Sequence, residues 1–329
     1  MGMHEHPFSL SMSILLADVP LLERPALARR LGYESVESWW PWAHEVASRR
    51  ELAAFAGSLE AAGTQLLLLN VCEGDAQYGG RGLAGVVGAD DAFWRNWESV
   101  LALAERTGAR HINVLVGDSA RAAPVASARR GDSARAARAA APGAGAHRGD
   151  PRLLGSRIGD RSAAGSEHGD TLARLTERLA VLADQAHEVG AGVVIEQLNR
   201  FDHANYLLTD PDDAVLVTRR ARSASKQANI GLLSDVYHLA RAGTDPASFV
   251  AAHADLVRHV QLADDPGRGR PGTGTIPIRE TLDTLAITGY DGMIGLEYTP
   301  GPDELAALAR PAELWRSLRE PVPQGDHSA

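Results

Sequence analysis

The chain is short of cysteine, of net positive charge and of long apolar runs, and each shortage removes a class of protein. With Cys72 as its one cysteine, it cannot be a disulfide-stapled scaffold, and it suits a reducing cytoplasm, the expected location. Acidic residues outnumber basic ones 42 to 33, a formal net charge of −9, which argues against sequence-independent nucleic-acid binding. No stretch reaches the roughly 18 apolar residues that a membrane span needs. The opening MGMHEHPFSLSMSILLADVP carries acidic and His residues where a secretory leader would carry Lys or Arg, and Asp18 and Pro20 break its apolar part, so no leader is expected. No Walker pattern is present, which disfavours a P-loop type of doubly wound nucleotide-binding sheet. What remains is a small-molecule substrate as the expected partner, neither nucleic acid nor membrane, with a homo-oligomer compatible.

A repeating joint is what the chain does have. An amphipathic segment ends in Gly and an apolar strand follows: LG-YESVES at Gly32, AG-TQLLLLN at Gly63, TG-ARHINVLVG at Gly108, VG-AGVVIEQLN at Gly190 and TG-YDGMIGLEY at Gly289. Gly suits the left-handed position just past a helix end. Strands are also expected at 228–235, at 258–264 and, opening the series, at 11–17 (SMSILLA). Helices are expected where apolar residues recur at spacings of three and four: Leu52, Phe55, Leu59 and Ala62; Phe93, Trp97, Val100 and Ala104; Leu172, Leu175, Leu179 and Leu182. Asp245-Pro246 reads as an N-cap followed by Pro at the first helical position. Eight strand–helix units predict an α/β fold, a single (β/α)₈ barrel over residues 9–318, with 319–329 as a tail.

One stretch breaks the pattern. Residues 119–168 hold 15 Ala, 9 Arg, 7 Gly and 6 Ser, with no aromatic residue. So little apolar area cannot offset the entropy of ordering. The stretch reads as a disordered insertion between strand 4 and helix 4, or alternatively as GC-rich coding text out of frame.

In such a barrel, chemistry sits at the C-terminal ends of the strands. Strand 5 ends at Glu196, strand 6 at Asp235, strand 7 at Gln261 and strand 8 at Glu297. Neighbouring strands lie roughly 5 Å apart, so the four side chains can converge. Three buried carboxylates would repel one another unless a cation sat among them. Oxygen-only ligation predicts one divalent Mg²⁺ or Mn²⁺ ion rather than zinc. Ordinary strand-end caps and salt bridges are the bland alternative.

The strings VIEQLN, SDVYH, HVQLADDPGRGRPGTG and GYDGMIGLEY, with SMSILLADVPLLERPALARRLGYESVE and LNVCEGDAQYGGRGLAG, resemble the hydroxypyruvate isomerase family of the xylose-isomerase-like barrels. By this resemblance Glu196, Asp235, Gln261 and Glu297 are the metal ligands, and Glu196 and Glu297 the proton-transferring pair. The resemblance also makes His238 a pocket histidine and Arg268 a loop arginine, both substrate-binding. The reaction implied is aldose–ketose-type isomerisation of a small hydroxy-oxo acid, hydroxypyruvate to tartronate semialdehyde through an enediolate. Sugar epimerase, 2-oxo-tetronate isomerase and inosose dehydratase are alternatives on the same site; apurinic endonuclease and a non-catalytic barrel are alternatives of another class. The chain departs from the family at Thr275, where an acid usually follows G-T-G, and at Gly269-Arg270, where His-Glu is usual. Its strand 2 also ends in a bulkier SWWPW.

Several residues keep two readings. Asn70 either touches substrate or caps its turn. His259 shares parity with Gln261 and is either a core histidine or a partner of the site. Glu37 either points into the site or makes a salt bridge. His111 and Asn113 either reach the pocket or pack the core. Trp39, Trp40 and Trp42 either wall the pocket or pack the neighbouring helix. Asn199 is expected to brace its loop, and Cys72 is not expected to be a nucleophile.

Overall fold

The Gly joints behave as helix terminators: Gly32, Gly63, Gly108, Gly190 and Gly289 all have φ between 63° and 97°, and each hands the chain from a helical segment to a strand. The computed structural model describes residues 8–74, 80–118, 161–301 and 310–319, with only the backbone of 161–167. The strands are β1 (Phe8–Ser11), β2 (Ser35–Ser38), β3 (Gln65–Asn70), β4 (His111–Asn113), β5 (Gly192–Glu196), β6 (Ile230–Asp235), β7 (Val257–Leu262) and β8 (Ile294–Leu296). All pair in parallel and in sequence order, and β8 pairs with β1 to close the barrel.

The helices are α1 (Met12–Leu15), α2 (Arg24–Arg30), α3 (Arg49–Ala62), α4 (Asp90–Thr107), α5 (Arg161–Glu188), α6 (Pro211–Ala224), α7 (Val236–Arg241), α8 (Pro246–Ala252), α9 (Ile278–Thr288) and α10 (Pro311–Arg319). Their apolar stripes pack on the barrel: Phe55 and Leu59 of α3, Phe93, Trp97, Val100 and Ala104 of α4, and Leu172, Leu175, Leu179 and Leu182 of α5 are all buried. Each large side chain so buried contributes roughly 1.5–3 kcal/mol. Local signals set the helix starts. Ser48 and Glu51 form a capping box on α3, and Asp245 accepts from Ser248 N ahead of Pro246 on α8.

Two expectations shift. The first strand is Phe8–Ser11, not 11–17, because at Met12 the chain turns into α1. Met12, Leu15 and Leu16 are buried at helical spacing, and a short apolar run does not distinguish strand from helix. The stretch 119–168 lies outside the described residues as far as 160; from Arg161 its backbone belongs to α5. The expected tail beyond Arg319 also lies outside them.

Inside the barrel, alternate strand residues point inward. Leu68, Val194 and Leu233 form a small apolar cluster of their own. Beside it lies a polar set, Ser9, Glu37, His259 and Gln261, all buried. Among the described residues no helix is long and apolar enough to cross a membrane.

Candidate active site

Parallel pairing puts the C-terminal ends of all eight strands at one mouth. Asp235 is in register with Gln261, and Gln261 with Gly295, two residues before Glu297. A narrow cleft at that mouth is lined by Trp39, Asn70, Arg81, Glu196, His203, His238, Arg268 and Glu297, among others. Asp235 and Gln261 are also buried, each at 2% exposure.

The protein holds one oxygen of Glu196 and both oxygens of Asp235 and Glu297. Glu196 Oε2 accepts from Asn113 Nδ2 at 3.0 Å. Asp235 Oδ1 accepts from Tyr237 N at 2.8 Å and so caps α7. Glu297 Oε1 accepts from the Trp39 indole at 2.7 Å. One Arg268 nitrogen, Nη2, bridges Asp235 Oδ2 at 2.9 Å and Glu297 Oε2 at 2.6 Å. Arg268 itself holds a φ of 55°, an uncommon conformation for a non-glycine residue and one that clusters at functional sites. The loop carrying it is tied to the Asp264 carboxylate, which accepts from the backbone N–H groups of Asp265, Gly272, Gly274 and Ile276.

Charge is unbalanced here. Burial, then the charges of Glu297 and Asp235, push Glu196 well above the ordinary carboxylate range. Burial likewise raises Asp235 against the pull of Arg268, and raises Glu297 to about 7 against the same pull. Burial disfavours the charge on Arg268, but Glu297, Asp235 and Glu196 outweigh it and keep the guanidinium protonated. One guanidinium faces three carboxyl groups, and burial holds all three toward the protonated form.

A hard divalent ion fits this donor set. Glu196 Oε1 and Gln261 Oε1 are buried acceptors with no hydrogen-bond partner among the described residues, and an unpaired buried oxygen is costly unless something else coordinates it. Among the described residues, Glu196, Asp235 and His238 form a group whose potential ligand atoms lie within 4.8 Å of one another. Histidine 238, however, is better suited to donate than to ligate. Its Nδ1 accepts from Asn199 N at 3.2 Å, which places the proton on Nε2. That nitrogen lies 3.8 Å from Glu196 Oε1 and from Asp235 Oδ2. Burial and then the nearby arginine charges lower its pKa well below the ordinary histidine value. The ring is therefore a neutral N–H donor facing the cleft.

The structure places each residue that had two readings. Asn70 lines the cleft with a buried, unpartnered Oδ1. Asn199 braces its loop, accepting from Phe201 N and Asp202 N. Trp39 walls the cleft, whereas Trp40 and Trp42 stack edge to face and Trp42 meets Phe55 of α3. Asn113 points inward onto Glu196, and His111 lies beside His259, 5.7 Å between ring centroids. Cys72 is buried and accepts from Gly74 N. Glu37 makes both the inward turn and the salt bridge: it contacts His259 Nε2 at 2.8 Å and Gln261 Nε2 at 2.7 Å. Burial opposes its ionisation, but His259, Ser9 and Gln261 outweigh burial and hold it below the ordinary range.

Among the lining residues that escaped the sequence reading are Arg81 and His203. Arg81 sits in the GGRGLAG string with an ion pair to Glu73 at 3.3 Å, and the His203 ring lies 5.6 Å from that of His238, tilted by 54°. Each comes from an irregular loop, where strand-end counting gives no signal.

Residues 25–318 match the model of the Xylose isomerase-like TIM barrel family. A Streptomyces coelicolor protein provisionally named a hydroxypyruvate isomerase is 33% identical over 93% of this chain and 95% of its own. The hydroxypyruvate isomerase of Escherichia coli is 24% identical over 92% of this chain and 96% of its own. Among solved structures, an AP endonuclease family 2 protein from Brucella melitensis superposes with a TM-score of 0.70 at 22% identity, covering 92% of this chain and 97% of that one. At that identity the likeness speaks for the fold.

Proposed function

The chain belongs to the hydroxypyruvate isomerase family of xylose isomerase-like TIM barrels, and from that premise we propose that it is an isomerase of a small hydroxy-oxo acid, converting hydroxypyruvate to tartronate semialdehyde. The observation that carries this reading is the pair of buried glutamates, Glu196 from the end of β5 and Glu297 just past β8, lining one cleft, with Glu297 raised to about 7 and Glu196 raised well above the ordinary carboxylate range, both chiefly by burial. A group that must take up and return a proton works best with a pKa near the working pH.

In this proposal one glutamate removes a proton from the hydroxymethyl carbon of the substrate and the other returns a proton to the former carbonyl carbon. The hydroxyl proton passes to the neighbouring oxygen, so atoms balance without an oxidant or reductant. Glu196, Asp235, Gln261 and Glu297 would hold one Mg²⁺ or Mn²⁺, which when bound supplies positive charge to polarise the carbonyl and stabilise the enediolate. His238 donates its Nε2 proton to a substrate oxygen. Arg81 and Arg268 add positive charge on the cleft wall, favouring a carboxylate-bearing substrate over a neutral sugar. Trp39 and Leu115 help shed water from the cleft. A cytoplasmic location goes with this reading.

The experiment is turnover of hydroxypyruvate in D₂O by wild type and by Glu196→Gln and Glu297→Gln. Deuterium should enter at the receiving carbon. Each variant should lose about 10²–10⁴-fold in kcat, and the losses should not add, since both residues serve one proton-transfer sequence. Near-normal turnover in both variants would overturn the mechanism. Faster turnover of neutral ketoses than of oxo acids would overturn the substrate class.

A further inference from the structure

Glu37 is a buried charge that the proton transfer does not use. It lies in β2, is 1% exposed, and spends its acceptor capacity on three inward-facing neighbours. Oε1 accepts from Ser9 Oγ at 2.5 Å and from His259 Nε2 at 2.8 Å. Oε2 accepts from Gln261 Nε2 at 2.7 Å. Gly295, in register with both Ser9 and Gln261, leaves the space this carboxylate fills: a Cβ there would come within 2.9 Å of Glu37 Cδ and 2.8 Å of Gln261 Cγ.

The two ends of a glutamine amide are nearly the same shape, so its hydrogen-bond partners decide which end faces which way. A carboxylate can only accept. Opposite Glu37, the amide of Gln261 must therefore present its nitrogen to β2, and its oxygen is the end left buried and unpartnered. An amide nitrogen has no lone pair to offer a cation; the oxygen does.

We propose that Glu37 is the positioning residue that keeps Gln261 oxygen-first for the cation, so that Gln261 ligates only while position 37 is an acceptor toward it. This rests on the reading that Glu196, Asp235, Gln261 and Glu297 hold a divalent ion. Outer partners that orient a ligand typically carry 10–100-fold of metal affinity.

The test is Mn²⁺ titration calorimetry on the metal-free full chain, with melting curves alongside to report folding. In Glu37→Gln, the amide oxygen is expected to stay with the two present donors, Ser9 Oγ and His259 Nε2. The new NH₂ therefore faces Gln261, which must turn its own oxygen away from the site. Affinity should fall about 10–100-fold. Ser9→Ala also removes a bond to Glu37 but leaves the Gln261 contact, and should stay within about threefold of wild type, well short of that range. In the exchange Glu37→Gln with Gln261→Glu, the carboxylate at 261 accepts from the amide at 37 and still offers an oxygen. Affinity should return to the wild-type value or above.

A folded Glu37→Gln that binds as wild type does, or a folded exchange variant that stays as weak as Glu37→Gln, overturns the assignment. If Glu37→Gln does not fold, the exchange variant decides alone: weak binding by it refutes. A wild-type chain that binds no Mn²⁺ overturns the metal reading itself, and the Glu37 role with it.

Discussion

Gly295→Ala should be one of the most damaging single-methyl additions in this protein. A glycine inside a strand is ordinarily a weakness, and alanine there is worth roughly 0.5–1 kcal/mol of added stability. Here the new methyl would fall inside contact distance of Glu37 Oε1, with Glu37 Cδ at 2.9 Å and Gln261 Cγ at 2.8 Å. Overpacking alone costs about 1–3 kcal/mol. The obstacle is also a carboxylate fixed by Ser9, His259 and Gln261, and leaving a buried charge uncompensated costs about 3–5 kcal/mol. The two costs describe one displacement, so the larger governs and a loss of about 3–5 kcal/mol is expected. At roughly 2.1 cal/mol/K of unfolding entropy per residue, a chain of 329 residues shifts by about 1.5 °C per kcal/mol, so the melting temperature should drop by roughly 4–8 °C. The matched control is Gly57→Ala, in the middle of α3 with nothing within 4 Å of its would-be Cβ, which should gain about 0.5–1 kcal/mol. Calorimetric or circular-dichroism melting of the metal-free proteins reads both. A Gly295→Ala protein melting within about 1 °C of wild type, under 1 kcal/mol on this scale, would refute the packing argument.

The remaining expectations concern charge. Glu297 has its pKa raised from 4.5 to about 7, chiefly by burial, so the folded state holds a proton that the unfolded carboxyl releases. Its contribution to stability is present below about pH 4.5 and is lost as pH rises through about 7; Glu196 shifts the same way. The metal-free protein should therefore melt progressively lower from about pH 5 to about pH 8, and Mn²⁺ should recover most at the alkaline end. A melting temperature flat with pH and indifferent to Mn²⁺ would count against the site. Asp235→Ala should abolish Mn²⁺ binding in calorimetry. Asp235→Asn should bind equally poorly yet melt higher than Asp235→Ala, because an asparagine oxygen keeps the cap on α7, worth about 1 kcal/mol.

The sequence by itself determined the architecture and the roster of site oxygens. Spacing of apolar residues, glycine at helix ends and the Asp245-Pro246 cap are local signals, and helices and parallel strands obey local rules. Once eight units were counted, barrel topology placed Glu196, Asp235, Gln261 and Glu297 at one mouth without any distance being known. Where a signal was not local, the sequence was mute or wrong. The run 11–17 is equally apolar as strand or helix, and only the pairing of β1 with β2 and β8 ends the strand at Ser11. Arg81 and His203 reach the cleft from irregular loops that carry no period. The bond from Gln261 to Glu37 spans 224 residues of sequence and exists because closing the barrel brings β7 across from β2, through the gap at Gly295. The proton on His238 Nε2 is likewise decided by a backbone N–H that arrives with the loop after β5. Residue identity supplied the chemical groups; closure of the ring decided which end of each group is spent on the protein and which is left for a ligand.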